Sequence, residues 1–160
     1  YQPYYHWLFA SYYPPVTMPD ATSTTFQDGA IELAVRDASG AIDPRDNPDW
    51  VIYDGLTLRL TWYTPNTASG DYAYFIHIYP ADDLTSVVTQ VDSRPGAGML
   101  PPGNWLPGAF RDTIGINVGD LPAGRYRVAI GLYDPVTFAR LTPSDGDEEN
   151  RYWIGEFVLQ

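Results

Sequence analysis

The sequence predicts an all-β protein, a two-sheet antiparallel β-sandwich of immunoglobulin-like or jelly-roll character. Three observations predict it. Apolar residues recur at every second position in several short runs, no stretch carries the roughly 3.6-residue period of a helix, and turns rich in Pro and Gly separate the runs. A single sheet of such strands would leave one apolar face in water, so a second sheet must cover it.

Seven strands are expected. Ile31, Leu33 and Val35 alternate with Glu32, Ala34 and Arg36, and AIDPRDNPDW then interrupts the pattern with prolines and carboxylates. Leu56, Leu58, Leu60 and Trp62 alternate with Thr57, Arg59 and Thr61, giving the clearest half-buried strand, and PNTASGD turns the chain back. Tyr72 to Tyr79 is apolar or aromatic on both faces, as befits a strand with neighbours on either side. Val87 to Val91 is a short strand. Asp112, Ile114, Ile116 and Val118 resume the alternation, Tyr126, Val128, Ile130 and Leu132 form one side of Arg125 to Asp134, and Trp153 to Leu159 closes the chain. Residues 1–28 are assigned to an aromatic arm and linker, and residues 29–160 to the sandwich.

Two local motifs are architectural. In LPAGRYRVAIGLYDP a Pro-x-Gly turn delivers the chain into a strand whose first inward residue is Tyr126, the arrangement of a tyrosine corner. Asp134 and Pro135 end that strand, because Pro has no ladder donor and Asp can bond the backbone ahead of it. The stretch DSRPGAGMLPPGNWLPG holds four Gly and four Pro in seventeen residues, the look of a binding loop. Lying between two alternating strands, it reads as a stiff crossover between sheets, with Met99 and Trp105 as an apolar plug. The rival reading makes Trp105 a sugar-stacking platform flanked by Asn104 and Arg111.

Composition narrows the function. The 160 residues fit one domain, and with no cysteine there is neither disulfide nor thiolate chemistry. Twenty acidic residues face nine basic ones, all Arg, which argues against nucleic acid as a partner. No run of about eighteen apolar residues is present to span a membrane. The opening YQPYYHWLFASYYPP, however, carries eight aromatic rings in thirteen positions, counting His6. Such crowding suits a membrane–water interface or a partner subunit, with Tyr4, Tyr5, Trp7 and Phe9 as contact residues. The alternative is that these rings cover one end of the sandwich. A first residue of Tyr points to a processed chain or a piece of a longer one.

Catalytic constellations are thin. His6 and His77 are the two histidines, and no Ser lies in a G-x-S-x-G elbow. A carboxylate pair would suffice for glycoside hydrolysis, but no pair is singled out. No cofactor is expected beyond a possible structural calcium, which needs roughly six to eight oxygens. Asp145, Asp147 and Glu149 in SDGDEEN could contribute to it, as could Asp43, Asp46 and Asp49, although such runs are more often solvated hairpin tips.

From about residue 54 to 141 the order of residues resembles the C-terminal extracytoplasmic β-sandwich domain attached to some bacterial multi-span, mannosyltransferase-like membrane glycosyltransferases and found in related uncharacterised membrane proteins. The resemblance is carried by Gly55, Leu58, Leu60 and Trp62, then Phe75 and His77. It continues through Asp92, Pro95, Gly98, Trp105, Pro107, Gly108 and Asp112, and ends with Pro122, Gly124, Tyr126, Gly131 to Pro135, Thr137, Arg140 and Leu141. Two positions depart from that pattern: Ala109 stands where Glu is usual, and Phe138 where a turn Gly is common. The resemblance implies an extracytoplasmic location and no catalytic residue, since chemistry in those transferases belongs to the membrane-embedded part. The leading expectation is therefore a non-catalytic interaction or scaffolding module on a membrane assembly. A carbohydrate-binding module and a structural subunit of a cell-surface or filament assembly are its rivals.

Overall fold

A computed structural model describes residues 22–39, 49–52, 55–66, 70–96, 98 and 107–159. In chain order the strands are β1 (Thr22–Phe26), β2 (Ile31–Ser39), β3 (Asp49–Ile52), β4 (Gly55–Thr64), β5 (Ala73–Pro80), β6 (Thr89–Ser93), β7 (Gly108–Asn117), β8 (Gly124–Tyr133) and β9 (Tyr152–Leu159). They form two sheets, ordered β1-β2-β4-β7 and β3-β9-β8-β5-β6. Every pairing is antiparallel except β3 with β9, which is parallel. The expected sandwich is present, and no described residue is helical.

The alternating residues build the core as their period requires. Leu33 and Val35 on β2, Leu56, Leu58, Leu60 and Trp62 on β4, and Ile114 and Ile116 on β7 meet Tyr74, Ile76 and Ile78 on β5 and Val128, Ile130 and Leu132 on β8. Each such large side chain contributes about 1.5–3 kcal/mol by leaving water. On β9 the buried set changes phase, Tyr152 and Ile154 giving way to Phe157 and Leu159. A register shift opposite Val128 and Ala129 supplies the extra residue, which returns the apolar side chains to the interior.

Two strands and one boundary differ from expectation. β1 lies inside the segment assigned to the arm, so the sandwich begins by residue 22, not 29. Its buried positions are Thr24 and Phe26, each 1% exposed, and a buried Thr gives no apolar signal; Thr24 Oγ1 instead lies 3.2 Å from Ser144 Oγ. The Gln27–Gly29 turn, with positive φ at all three residues, folds β1 back onto β2. β3 falls in the Pro-interrupted stretch, where short length hid it. The short strand expected over Val87–Val91 runs from Thr89 to Ser93. Asp83 delays it by accepting bonds from the Thr85 amide and from the Thr85 and Ser86 hydroxyls, holding that segment as a turn.

The Gly- and Pro-rich stretch does cross between sheets, from β6 in one to β7 in the other. Its entry is pinned at two points: Arg94 makes a two-pronged pair with Asp71, at 2.8 and 2.9 Å, and the Gly96 amide donates to Asp112 Oδ2 at 2.9 Å. The tyrosine corner is present as well, with Tyr126 Oη donating to the Pro122 carbonyl at 2.6 Å and its ring stacked on Phe157. Tyr126→Phe keeps the ring and loses the bond, and is expected to cost about 1 kcal/mol in urea denaturation.

Candidate functional site

The outer face of the five-stranded sheet begins with β5. Because Tyr74, Ile76 and Ile78 point into the core, Phe75, His77 and Tyr79 must point away from it. Register then fixes their neighbours: Phe75 lies between Asp92 of β6 and Gly131 of β8, and His77 between Gln90 and Ala129. Gly131 is needed where it stands. A Cβ there would come within 2.4 Å of the Phe75 ring, so the ring occupies the space a side chain on β8 would fill.

After β8 the chain makes a tight turn and returns. Asp134 Oδ1 accepts from the amides of Val136 and Thr137 at 2.7 and 3.1 Å, as its sequence position suggested. The Phe138 amide donates to the Asp134 carbonyl at 2.7 Å, and Leu141 pairs with Leu132. This return places Arg140 beside Tyr133 and brings its guanidinium carbon 4.4 Å from the centre of the Phe75 ring. Closing the turn requires φ of 61° at Phe138, a left-handed conformation. The Phe138 ring is 73% exposed and lies nearly parallel to Tyr133, with centroids 6.3 Å apart.

These residues enclose an open cleft of about 450 Å³. Phe75 and His77 form its floor, Asp92 and Gln90 one wall, Arg140 the other, and Tyr133 with Phe138 one end. Gln90 Nε2 donates to Asp92 Oδ2 at 3.0 Å. Burial pulls the His77 pKa below the ordinary imidazole value, and Arg140 and Arg151 add to this against the opposing pull of Asp92. His77 is therefore neutral at pH 7, with Nδ1 3.2 Å from Tyr79 Oη. Burial, reinforced by Asp92, raises the Tyr133 pKa, so its hydroxyl stays protonated. Beyond His77 the face is closed by stacking: Arg127 and Arg151 both lie over Trp153, at 4.3 and 4.8 Å. A second cleft, of about 500 Å³, is lined by Pro80, Ala81, Asp82, Ala123, Gly124, Arg125 and Tyr126. Its polar groups are partly committed within the fold, Arg125 to Glu156 and the Tyr126 hydroxyl to the Pro122 carbonyl, and it has no exposed aromatic pair like Tyr133 and Phe138.

Such an arrangement offers a flat apolar platform edged by donors and acceptors of both signs. Asp92 is the carboxylate of this cleft, and no second one lines it to form an acid–base pair.

The residues singled out from sequence fall elsewhere. Asn104 and Trp105, like Met99, lie outside the described residues, as do Tyr4, Tyr5, Trp7 and Phe9, and Asp43 and Asp46. Arg111 is exposed on β7, in the four-stranded sheet, and does not line the cleft. Asp145, Asp147 and Glu149 are not gathered as cation ligands: among the described residues no three His, Cys, Asp or Glu side chains are placed to hold a metal ion. Asp147 is committed to protein donors instead. Its Oδ1 accepts from the Glu149 and Arg151 amides at 3.0 and 2.9 Å, and its Oδ2 from Arg151 Nε and Trp153 Nε1 at 2.8 and 3.0 Å. Burial alone would raise the Asp147 pKa, but the bonds from Arg151 and Trp153 together outweigh it and hold the carboxyl below its usual range.

Asp147→Ala is accordingly expected to cost about 1.5–3 kcal/mol, equally with and without added calcium. The linked pH dependence has a definite sign. The contribution of Asp147 is fully present above the unfolded value of 3.8 and is lost as pH falls through the lower folded value, so the variant flattens the acid limb of stability against pH.

Sequence reasoning noted the ingredients of the cleft without joining them. Phe75, His77 and Tyr79 were visible as one side of a strand apolar or aromatic on both faces, and Phe138 as a departure at a Gly position. What was missing was the return of Arg140 over Phe75, a contact across 65 positions of chain.

No protein-family model matches the chain, and no curated protein matches it in sequence. Its fold does match a solved structure, the crystal structure of the C-terminal domain of Wzt, with a TM-score of 0.54 at 14% identity, over 94% of this chain and 81% of that one. At that identity the likeness shows a shared β-sandwich fold and nothing finer.

Proposed function

We propose that this chain is a non-catalytic binding module whose ligand is a carbohydrate, held in the cleft on the outer face of the five-stranded sheet. The observation that carries this reading is Phe138, a large apolar ring left 73% exposed and held at a φ of 61°. A non-Gly residue in the left-handed region costs about 1–2 kcal/mol, and exposing the ring to water gains nothing for folding. A strained, exposed aromatic at the lip of a cleft is explained by a ligand that stacks on it. Phe138 and Tyr133 offer the flat apolar surface that suits a pyranose face, and Asp92, Gln90 and Arg140 offer hydrogen bonds to ring hydroxyls.

Titration calorimetry against a panel of soluble polysaccharides and oligosaccharides tests the reading. Binding at millimolar concentration or tighter, with no release of reducing sugar, is expected. Failure of every glycan to bind in that range would refute it.

The setting we propose is extracytoplasmic, with the module carried on a larger membrane protein or assembly through its aromatic N-terminal segment. Its support is the eight rings in thirteen positions and the sequence resemblance to domains of membrane glycosyltransferases. Scaffolding within such an assembly is compatible with glycan binding, since the cleft and the N-terminal segment involve different parts of the chain. Topology reporters fused to the full-length gene product decide the setting, and a cytoplasmic signal would reject it.

A further inference from the structure

Arg140 differs from the other arginines of this sheet and its connections. Arg94, Arg125, Arg127 and Arg151 each lie within 3.5 Å of a carboxylate oxygen, on Asp71, Glu156, Glu156 and Asp147 respectively. Arg140 lines the cleft and pairs with no carboxylate among the described residues. Its Nη1 donates to the backbone carbonyl of Glu149 at 2.8 Å, and its guanidinium lies over the Phe75 ring. In a chain with a formal net charge of −11, with acidic residues close by in the Asp145–Glu149 loop, a cation without a carboxylate partner stands out.

The group is also held in place. Phe75 is 2% exposed and is seated against Gly131, and Arg140 is tied by both the ring stack and the carbonyl bond. One N–H is used by that carbonyl, and a guanidinium carries five in a planar fork that matches the paired oxygens of a carboxylate or phosphate. On the opposite wall Asp92, an acceptor, faces the same space. The cleft is therefore polarised, with its cation on one side of the aromatic floor and its anion on the other. His77 between them stays neutral at pH 7, leaving Arg140 as the cation among the cleft residues.

We infer that the saccharide taken by this cleft bears an anionic oxygen group, which Arg140 receives while Asp92 accepts hydrogen bonds from hydroxyls across the ring. This rests on the carbohydrate reading above and adds the chemical class of the ligand. A sugar carboxylate and a sugar phosphate present the same pair of oxygens to the fork, and only experiment separates these two sources.

The test uses the full chain and matched pairs of ligands: a uronic-acid oligosaccharide against its neutral counterpart, and a sugar phosphate against the unsubstituted sugar, measured by calorimetry at two salt concentrations. The charged member of at least one pair is expected to bind roughly tenfold tighter or more, the size of one charge-assisted hydrogen-bonded contact, and the preference should shrink with salt. The pair that shows the preference identifies the anion. Arg140→Gln should weaken the charged member much more than the neutral one and so reduce the preference to within about twofold, and Arg140→Lys should keep part of it, a point charge replacing a fork. Equal affinity for charged and neutral members, or an equal loss of both in Arg140→Gln, overturns the inference and leaves the carbohydrate reading standing. Absence of binding by all four ligands and by the wider glycan panel overturns both.

Discussion

Phe138→Gly is expected to abolish or weaken glycan binding about tenfold or more while leaving the fold as stable as before, or more so. The two effects have separate physical origins. Glycine adopts a φ near 61° without the roughly 1–2 kcal/mol that a Cβ costs there, and part of this relief is offset by the greater freedom of glycine in the unfolded chain, about 0.5–1 kcal/mol. The Phe138 ring makes few contacts that folding needs, being 73% exposed, so its removal leaves no cavity. Binding loses the outer half of the stacked pair with Tyr133. Calorimetric titration and urea denaturation of the same preparation measure both quantities, and Phe138→Trp, which restores a ring, should restore binding. A Phe138→Gly protein that binds glycan as well as the parent would remove this residue from the platform.

Gly131→Ala is expected to destabilise the fold by overpacking the floor of the cleft. The added Cβ would sit 2.4 and 2.5 Å from Phe75 ring atoms and 3.1 Å from the Asn150 carbonyl, distances that require the ring or the strand to move. Gly131 pairs with Phe75 within a strand flanked on both sides, so the backbone has little room to yield. Overpacking of this kind costs about 1–3 kcal/mol. The unfolding free energy should fall by that amount, seen as a lower denaturation midpoint with an unchanged slope. A second change, Phe75→Leu, frees the space and should recover part of the loss, a coupling that a double-mutant cycle reads directly. Binding should weaken in Gly131→Ala too, because a displaced Phe75 no longer supports Arg140. That pattern, stability and binding falling together, is the opposite of Phe138→Gly, and the two variants separate the floor of the cleft from its lip.

The parts legible in sequence are those written in local pattern. Leu56, Leu58, Leu60 and Trp62 announce a strand because a period of two sorts side chains to two faces whatever the rest of the chain does. The Pro-x-Gly turn before Tyr126 and the Asp-Pro after Tyr133 announce their turns because the conformational limits of these residues act over a few bonds. β1 escaped because its inward side chains include Thr24, whose hydroxyl finds its partners in Ser144 and the Asp145 amide, 120 and 121 positions away. Asp147 looked like a cation ligand for the same reason. A carboxylate in an acidic loop does not declare whether water, a metal or the Arg151 and Trp153 donors will take its oxygens.

By itself, then, the sequence determined the sandwich class, most of its strands, the tyrosine corner and the crossover, since each follows from alternation or turn chemistry within a short window. Only the tertiary structure decided the cleft. Asp92 meets Phe75 through β6 pairing, Gly131 clears space through β8 pairing, and Arg140 arrives over the ring after a turn that Phe138 closes under strain. Such a site depends on register between separate strands, and register is set by how two sheets pack and how neighbouring strands align, quantities that no single stretch of residues carries.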